Sequence, residues 1–139
     1  MIHPLLYKLL WILSNCLFLS CFFADQRTII REVLGKEKAE KAVQVFIPYK
    51  EVLDLYNAGL DVPEDVTMIW ANDNFGHMRR YPNKEELTRK GGHGLYFHNS
   101  YWAHPEMSYL FINSIPLAQT GNELEKAYNF PSTSRMIVR

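Results

Sequence analysis

The chain has 139 residues, 15 Lys and Arg against 15 Asp and Glu, with 47% hydrophobic and 14% aromatic residues. That length allows one domain, and zero net charge removes the electrostatic footprint of a nucleic-acid or anionic-membrane binder. The charge content and abundant aromatics exclude global disorder, and no repeat period or low-complexity tract points to a solenoid.

Charge is unevenly spread: before Asp25 only Lys8 is charged, and Leu9–Ala24 (LLWILSNCLFLSCFFA) is a sixteen-residue apolar run. This falls just short of the roughly 17–20 residues of a spanning helix. It predicts a signal peptide or hydrophobic anchor over residues 1–24, with Ala24 as the small residue before a cut and Phe22 an imperfect match three residues earlier. A chain cut there is secreted or periplasmic, and one that retains the segment is membrane-anchored. Cys16 and Cys21 both lie inside it, so residues 25–139 contain no cysteine for a disulfide, a thiolate metal site or a nucleophile.

From Asp25 onward the pattern is periodic. Asp25–Leu34 has helical spacing of Ile29, Ile30, Val33 and Leu34 before Gly35. Lys36–Ala42 reads as a charged connector, Val43–Ile47 as a short strand ended by Pro48, and Tyr49–Ala58 as a helix closed by Gly59. Val66–Trp70 predicts a buried strand running into Ala71-Asn72-Asp73-Asn74. Asn83–Lys90 predicts a short helix with a capping box between Asn83 and Glu86. Gly91-Gly92-His93-Gly94 reads as a flexible turn, and Leu95–His98 and Tyr109–Ile112 as further strands. Pro116–Tyr128 has helical pattern, and Met136–Val138 opens another strand.

Continuous apolar strands alternating with helices predict an α/β fold with parallel strands covered on both faces. Polar residues gather after the strands, at Tyr49–Glu51, Asn72–Asn74, Asn99–Tyr101 and Asn113–Ser114. In a β/α barrel such positions converge on the rim that carries catalytic groups. Asn and Ser also cap strand ends for purely structural reasons, but four successive clusters favour a rim. A full barrel takes about 250 residues, so the 115 residues after Ala24 predict about half of a (β/α)₈ barrel.

The stretches QVFIPYKEVLDLY, VPEDVTMIWANDNFGHMRRYP, GGHGLYFHNSYW and SYLFINSIPLA, in that order between Gln44 and Phe130, resemble glycoside hydrolase family 115, the xylan α-1,2-glucuronidases. The resemblance implies that residues 25–139 are the central part of a catalytic barrel. The implied reaction removes glucuronic acid or its 4-O-methyl ether from xylan with inversion. Its substrates are glucuronoxylan or aldouronic acid oligosaccharides, with no cofactor.

Inverting hydrolysis needs one carboxylic acid and one carboxylate, roughly 6.5–9.5 Å apart. By the resemblance these are Glu51 and Asp73. The first turn of a helix suits Glu51 to the base role, though acidic residues are ordinary at such positions. Family members usually carry W-x-D-D-N where this chain has Asn72, Asp73 and Asn74; an amide at the first place donates hydrogen bonds but relays no proton. Asn72, Asn74, Arg79, His98 and Tyr101 are the implied substrate contacts, and a guanidinium fork such as Arg79 or Arg80 matches a uronic carboxylate. Trp70 or Trp102 would stack on a sugar. The spacing of His93, His98 and His104 matches no standard metal pattern, and the glycine turn lacks the Lys-Ser/Thr of a phosphate loop.

No carboxylate precedes Asp25, so an earlier catalytic partner has no candidate. The sequence therefore predicts a truncated, inactive family member. The alternatives are an exported carbohydrate-binding pseudoenzyme module, or a membrane-anchored interaction protein if the leader is retained.

Overall fold

The computed structural model describes residues 4–73, 75–98, 100–102, 110–112, 115–129 and 135–138. It resolves into two compact units, Met1–Gln44 with Pro48–Pro63, and Val45–Ile47 with Glu64–Arg139.

In the first unit, α1 runs unbroken from Pro4 to Leu34. Its 31 residues correspond to a length of about 46 Å, longer than the charge-free run alone implies. It contains a segment, Leu9–Leu34, long and apolar enough to cross a membrane, and a signal sequence has the same character. Leu17 and Phe18 are exposed on this helix, whereas Phe23 is buried. The charged connector proves to be a helix, α2 (Lys36–Lys41). Its Lys, Glu and Ala are strong helix formers, and Lys41 pairs with Glu37 one turn earlier at 3.2 Å. Gln44 accepts from Arg27 Nε at 2.7 Å and donates to Gln26 at 3.2 Å, holding the end of this segment to α1. The next helix, α3, spans Glu51–Asn57.

The second unit is built on a parallel sheet ordered β1-β2-β3-β6, with β1 Val45–Phe46, β2 Thr67–Ala71, β3 His93–Phe97 and β6 Arg135–Val138. Every residue of β2 is buried, as expected of a central parallel strand covered on both faces. Register places Met68 beside His93 and Ala71 beside Tyr96. Helix α4 (Leu117–Tyr128) contributes Ala127 to a core with Leu95 and Phe97, flanked by Met78, Ile115 and Leu124.

Besides α2, three expectations change. The segment Tyr109–Ile112 does not join the parallel series: β5 (Leu110–Ile112) pairs antiparallel with β4 (Ser100–Trp102) in a separate two-stranded sheet. Only residues 103–109 separate the two strands, and a parallel crossover needs a dozen or more residues. The predicted helix Asn83–Lys90 is a single 3₁₀ turn, Glu86–Thr88. Its capping box is present, with Glu86 N–H donating to Asn83 Oδ1 and Asn83 N–H to Glu86 Oε2, both at 2.8 Å. Lastly, the glycine turn is shorter than predicted, because His93 and Gly94 already belong to β3. The sheet places the ends of β2 and β3 side by side, so the polar residues following those two strands do share an edge.

Gly91 is required by close approach. A Cβ there would lie 2.3 Å from the Val66 carbonyl oxygen, whereas at Gly121, inside α4, a Cβ meets nothing within 4 Å. Gly91→Ala is expected to destabilise the chain by about 1–3 kcal/mol, and Gly121→Ala to stabilise it by about 0.5–1 kcal/mol. Urea midpoints of the two variants, moving in opposite directions, check both.

Candidate active-site rim

The polar residues after β2 form a tight loop. Asn72 is fully buried and makes an isolated antiparallel bridge with Met78. Its Oδ1 accepts the backbone N–H of His98 at 2.9 Å and lies 2.6 Å from His98 Nδ1. Because Oδ1 offers no proton, His98 carries its hydrogen on Nδ1. Burial pushes the His98 imidazole below its ordinary pKa, with the bond to Asn72 opposing that shift. Asn72 Nδ2, also buried, has no hydrogen-bond partner among the described residues.

Asp73 organises the loop through its carboxylate. Oδ1 accepts the backbone N–H groups of Phe75 at 2.9 Å and His77 at 3.0 Å. Oδ2 pairs with Arg79 Nε at 3.2 Å, while the Arg79 side chain stays 64% exposed. The backbone closes the same turn, with Asp73 N–H to His77 carbonyl at 2.8 Å and Gly76 N–H to Asp73 carbonyl at 3.1 Å. Gly76 is obligatory here: its φ is 82° and a Cβ would approach Ile115 to 2.7 Å.

Helix α4 braces this loop. Gln119 donates to the Phe75 carbonyl at 2.8 Å and lies 3.3 Å from the His77 ring nitrogens. Glu123, buried on the same helix, accepts from the Tyr81 hydroxyl and pairs with Lys126 at 3.1 Å. Burial disfavours the Glu123 charge, but the bonds from Tyr81 and Lys126 and the Met78 N–H win, holding the carboxyl below its usual range. Burial and the neighbouring carboxylate push the Tyr81 phenol well above its ordinary pKa.

A second network underlies the loop. Trp70 Nε1–H donates to His93 Nδ1 at 3.2 Å, and His93 Nε2 lies 2.6 Å from the Glu86 carbonyl. The Glu86 carboxylate takes Arg80 at 2.6 Å, and the Arg80 guanidinium stacks 4.7 Å from the Trp70 ring centroid. Arg80 is therefore committed to the fold, and of the two arginines only Arg79 presents an exposed guanidinium. Burial, followed by smaller effects that include the Arg89 and Arg80 charges, pushes His93 below its ordinary pKa against the opposing bond to Glu86.

Of the sequence-predicted residues, Asn72 and His98 touch directly, as do Asp73 and Arg79, all in the second unit. Glu51 opens α3 in the first unit, exposed and preceded by Lys50 at φ 50°. Tyr101 lies in β4; Asn74, His104 and Asn113–Ser114 fall outside the described residues. Sequence reading missed Gln119 and Glu123. Their signal was helical spacing: four residues apart, they share one face of α4.

Residues 14–139 match the family model described as glycosyl hydrolase family 115. Among solved structures the chain is similar to that of a novel family GH115 4-O-methyl-alpha-glucuronidase, BtGH115A, with specificity for decorated arabinogalactans. The two are 38% identical at a TM-score of 0.79, over 92% of this chain and 17% of that one. No curated protein matches. The chain thus spans about a sixth of the length of that relative.

Both lowered histidines are held neutral by the fold, so the unfolded chain binds protons first as pH falls through about 6.5. Stability is full above that value and declines between it and the lower folded pKa values. Urea midpoints measured from pH 8 to pH 5 should fall on the acid side, and the slope should shrink in a His93→Gln/His98→Gln double variant.

Proposed function

The chain belongs to glycosyl hydrolase family 115, and on that premise we propose that it serves the hydrolytic removal of glucuronic acid, or its 4-O-methyl ether, from a plant glycan. The parallel sheet is read as an arc of a β/α barrel, with the loops after β2 and β3 as its substrate-facing rim. The substrate class is an acidic side chain on xylan or on arabinogalactan, the latter being the specificity of the solved relative. The apolar character of α1 supports export, with residues 1–24 as leader or anchor and residues 25–139 as the barrel segment.

One observation carries this reading: Arg79 is tethered through Nε to Asp73 yet its side chain stays mostly exposed. A fork fixed at one nitrogen and open at the others is preorganised for a second carboxylate, and the uronic acid supplies one. In this scheme Asp73 and Glu51 are the catalytic carboxylates. Asn74, Arg79, His98 and Tyr101 contact the sugar, whereas Asn72, an implied contact by the resemblance, is fully buried and orients His98 instead. A strained backbone at Lys50, such as functional sites accumulate, supports the place given to Glu51.

A specific observation favours a second reading, in which the chain binds the acidic glycan without cleaving it. By the family resemblance Asn72 stands where an aspartate is usual, and its amide is fully buried with Oδ1 already engaged by His98. An amide can neither take nor give the proton that the reaction moves. Incubation of the chain with an aldouronic acid oligosaccharide separates the two readings. Release of 4-O-methylglucuronic acid supports hydrolysis; binding without release supports the module, and then Asn72→Asp should initiate release. Arg79→Ala should weaken binding about 10–100-fold under either reading, measured by titration calorimetry. Unchanged affinity would remove Arg79 from the site.

A further inference from the structure

Phe75 is 74% exposed, yet both of its own backbone polar groups are hydrogen-bonded to side chains. Its N–H is taken by Asp73 Oδ1 at 2.9 Å and its carbonyl by Gln119 Nε2 at 2.8 Å. The next residue, Gly76, has its N–H on the Asp73 carbonyl at 3.1 Å, and contact with Ile115 leaves no room for a side chain. Asn72 and Met78 close the loop's base with a β-bridge. A turn serving only to reverse the chain needs no aromatic at its tip, and an apolar side chain held out in water gains nothing from the fold. An aromatic whose own backbone groups are already hydrogen-bonded has less ordering entropy left to lose on binding a ligand.

The same Asp73 carboxylate sets the second half of the arrangement. One oxygen fixes Phe75 and the other holds Arg79 Nε at 3.2 Å. An exposed aromatic face and an exposed guanidinium are thus positioned from one carboxylate. Their chemistries differ: the ring face carries the negative side of a quadrupole and attracts the polarised C–H face of a pyranose, whereas the guanidinium takes a carboxylate. A neutral sugar satisfies only the first, and a simple organic acid only the second. A uronosyl ring satisfies both.

We propose that Phe75 is a specificity-determining stacking platform for the uronosyl ring whose carboxylate pairs with Arg79, so that the loop after β2 reads sugar face and charge together. This rests on the glucuronosyl reading above and deepens it, assigning to the ring of the acidic sugar a residue otherwise unused by the mechanism.

The experiment titrates the full chain with two probes, a 4-O-methylglucuronosyl xylo-oligosaccharide and the same xylo-oligosaccharide without the acid. Parent, Phe75→Ala and Phe75→Tyr chains are compared by NMR and calorimetry. Phe75→Ala is expected to weaken binding of the acidic probe about tenfold and to leave the neutral probe unchanged. Phe75→Tyr, which keeps the ring, should stay within about threefold of the parent. In the parent complex the uronosyl C–H protons should shift upfield from the Phe75 ring current. Because the side chain is exposed, the urea midpoint of Phe75→Ala should match the parent, which separates lost stacking from lost folding. Equal affinity of Phe75→Ala and parent for the acidic probe would overturn the proposal while leaving the glucuronosyl reading intact. Equal weakening for both probes would place the ring under the main chain and overturn the uronosyl assignment. A parent chain that binds neither probe would overturn the glucuronosyl reading, and the platform with it.

Discussion

The indole N–H of Trp70 points at Nδ1 of His93, and that bond obliges the imidazole to carry its proton on Nε2, where the Glu86 carbonyl accepts it. Glu86 turns its carboxylate to Arg80, whose guanidinium covers the Trp70 ring. The circuit closes on itself, and it joins the end of β2, the start of β3 and the 3₁₀ turn between them. Its bonds lie largely out of solvent, where the low dielectric strengthens a hydrogen-bonded network. A protonated His93 would set two N–H groups against each other, which is why burial of this imidazole and its neutrality go together.

Just beyond the C-terminal ends of the same two strands, Asn72 and His98 form a second clasp. Together the circuit and the clasp fix the register in which β2 and β3 end side by side. That register brings the polar tails of two strands to one edge, which neither strand specifies alone. The loop after β2 is then held from below by Asp73 and from the side by Gln119 and Glu123 of α4. A rim built this way loses little entropy when a ligand arrives, because its backbone is already ordered.

The arginine pair shows how the fold divides labour between adjacent residues. Arg80 lies over an aromatic ring and pairs with a carboxylate, where it stabilises the core. Arg79, one residue away, points outward and keeps most of its guanidinium exposed. The split follows from their different partners, and only Arg79 keeps an exposed side chain for an anionic ligand. The Asn72 amide is equally two-sided: its Oδ1 completes the clasp on His98, while its buried Nδ2 has no hydrogen-bond partner among the described residues.

The sequence by itself determined the α/β class, the parallel strands, the capping box at Asn83 and Glu86, and the family, because these are written in periodicity, local side-chain chemistry and long ordered stretches. It also marked Asn72, Asp73 and the arginine pair as polar residues at a strand end. Helix α2 and the β4–β5 hairpin were misread because short charged or apolar runs carry no period long enough to choose among connector, helix and crossover strand. Which arginine faces outward, which nitrogen of each histidine holds the proton, and that Gln119 and Glu123 brace the rim were decided only by tertiary structure. Those features depend on partners 6 to 44 residues apart in the chain, and no local pattern encodes a hydrogen bond across that separation.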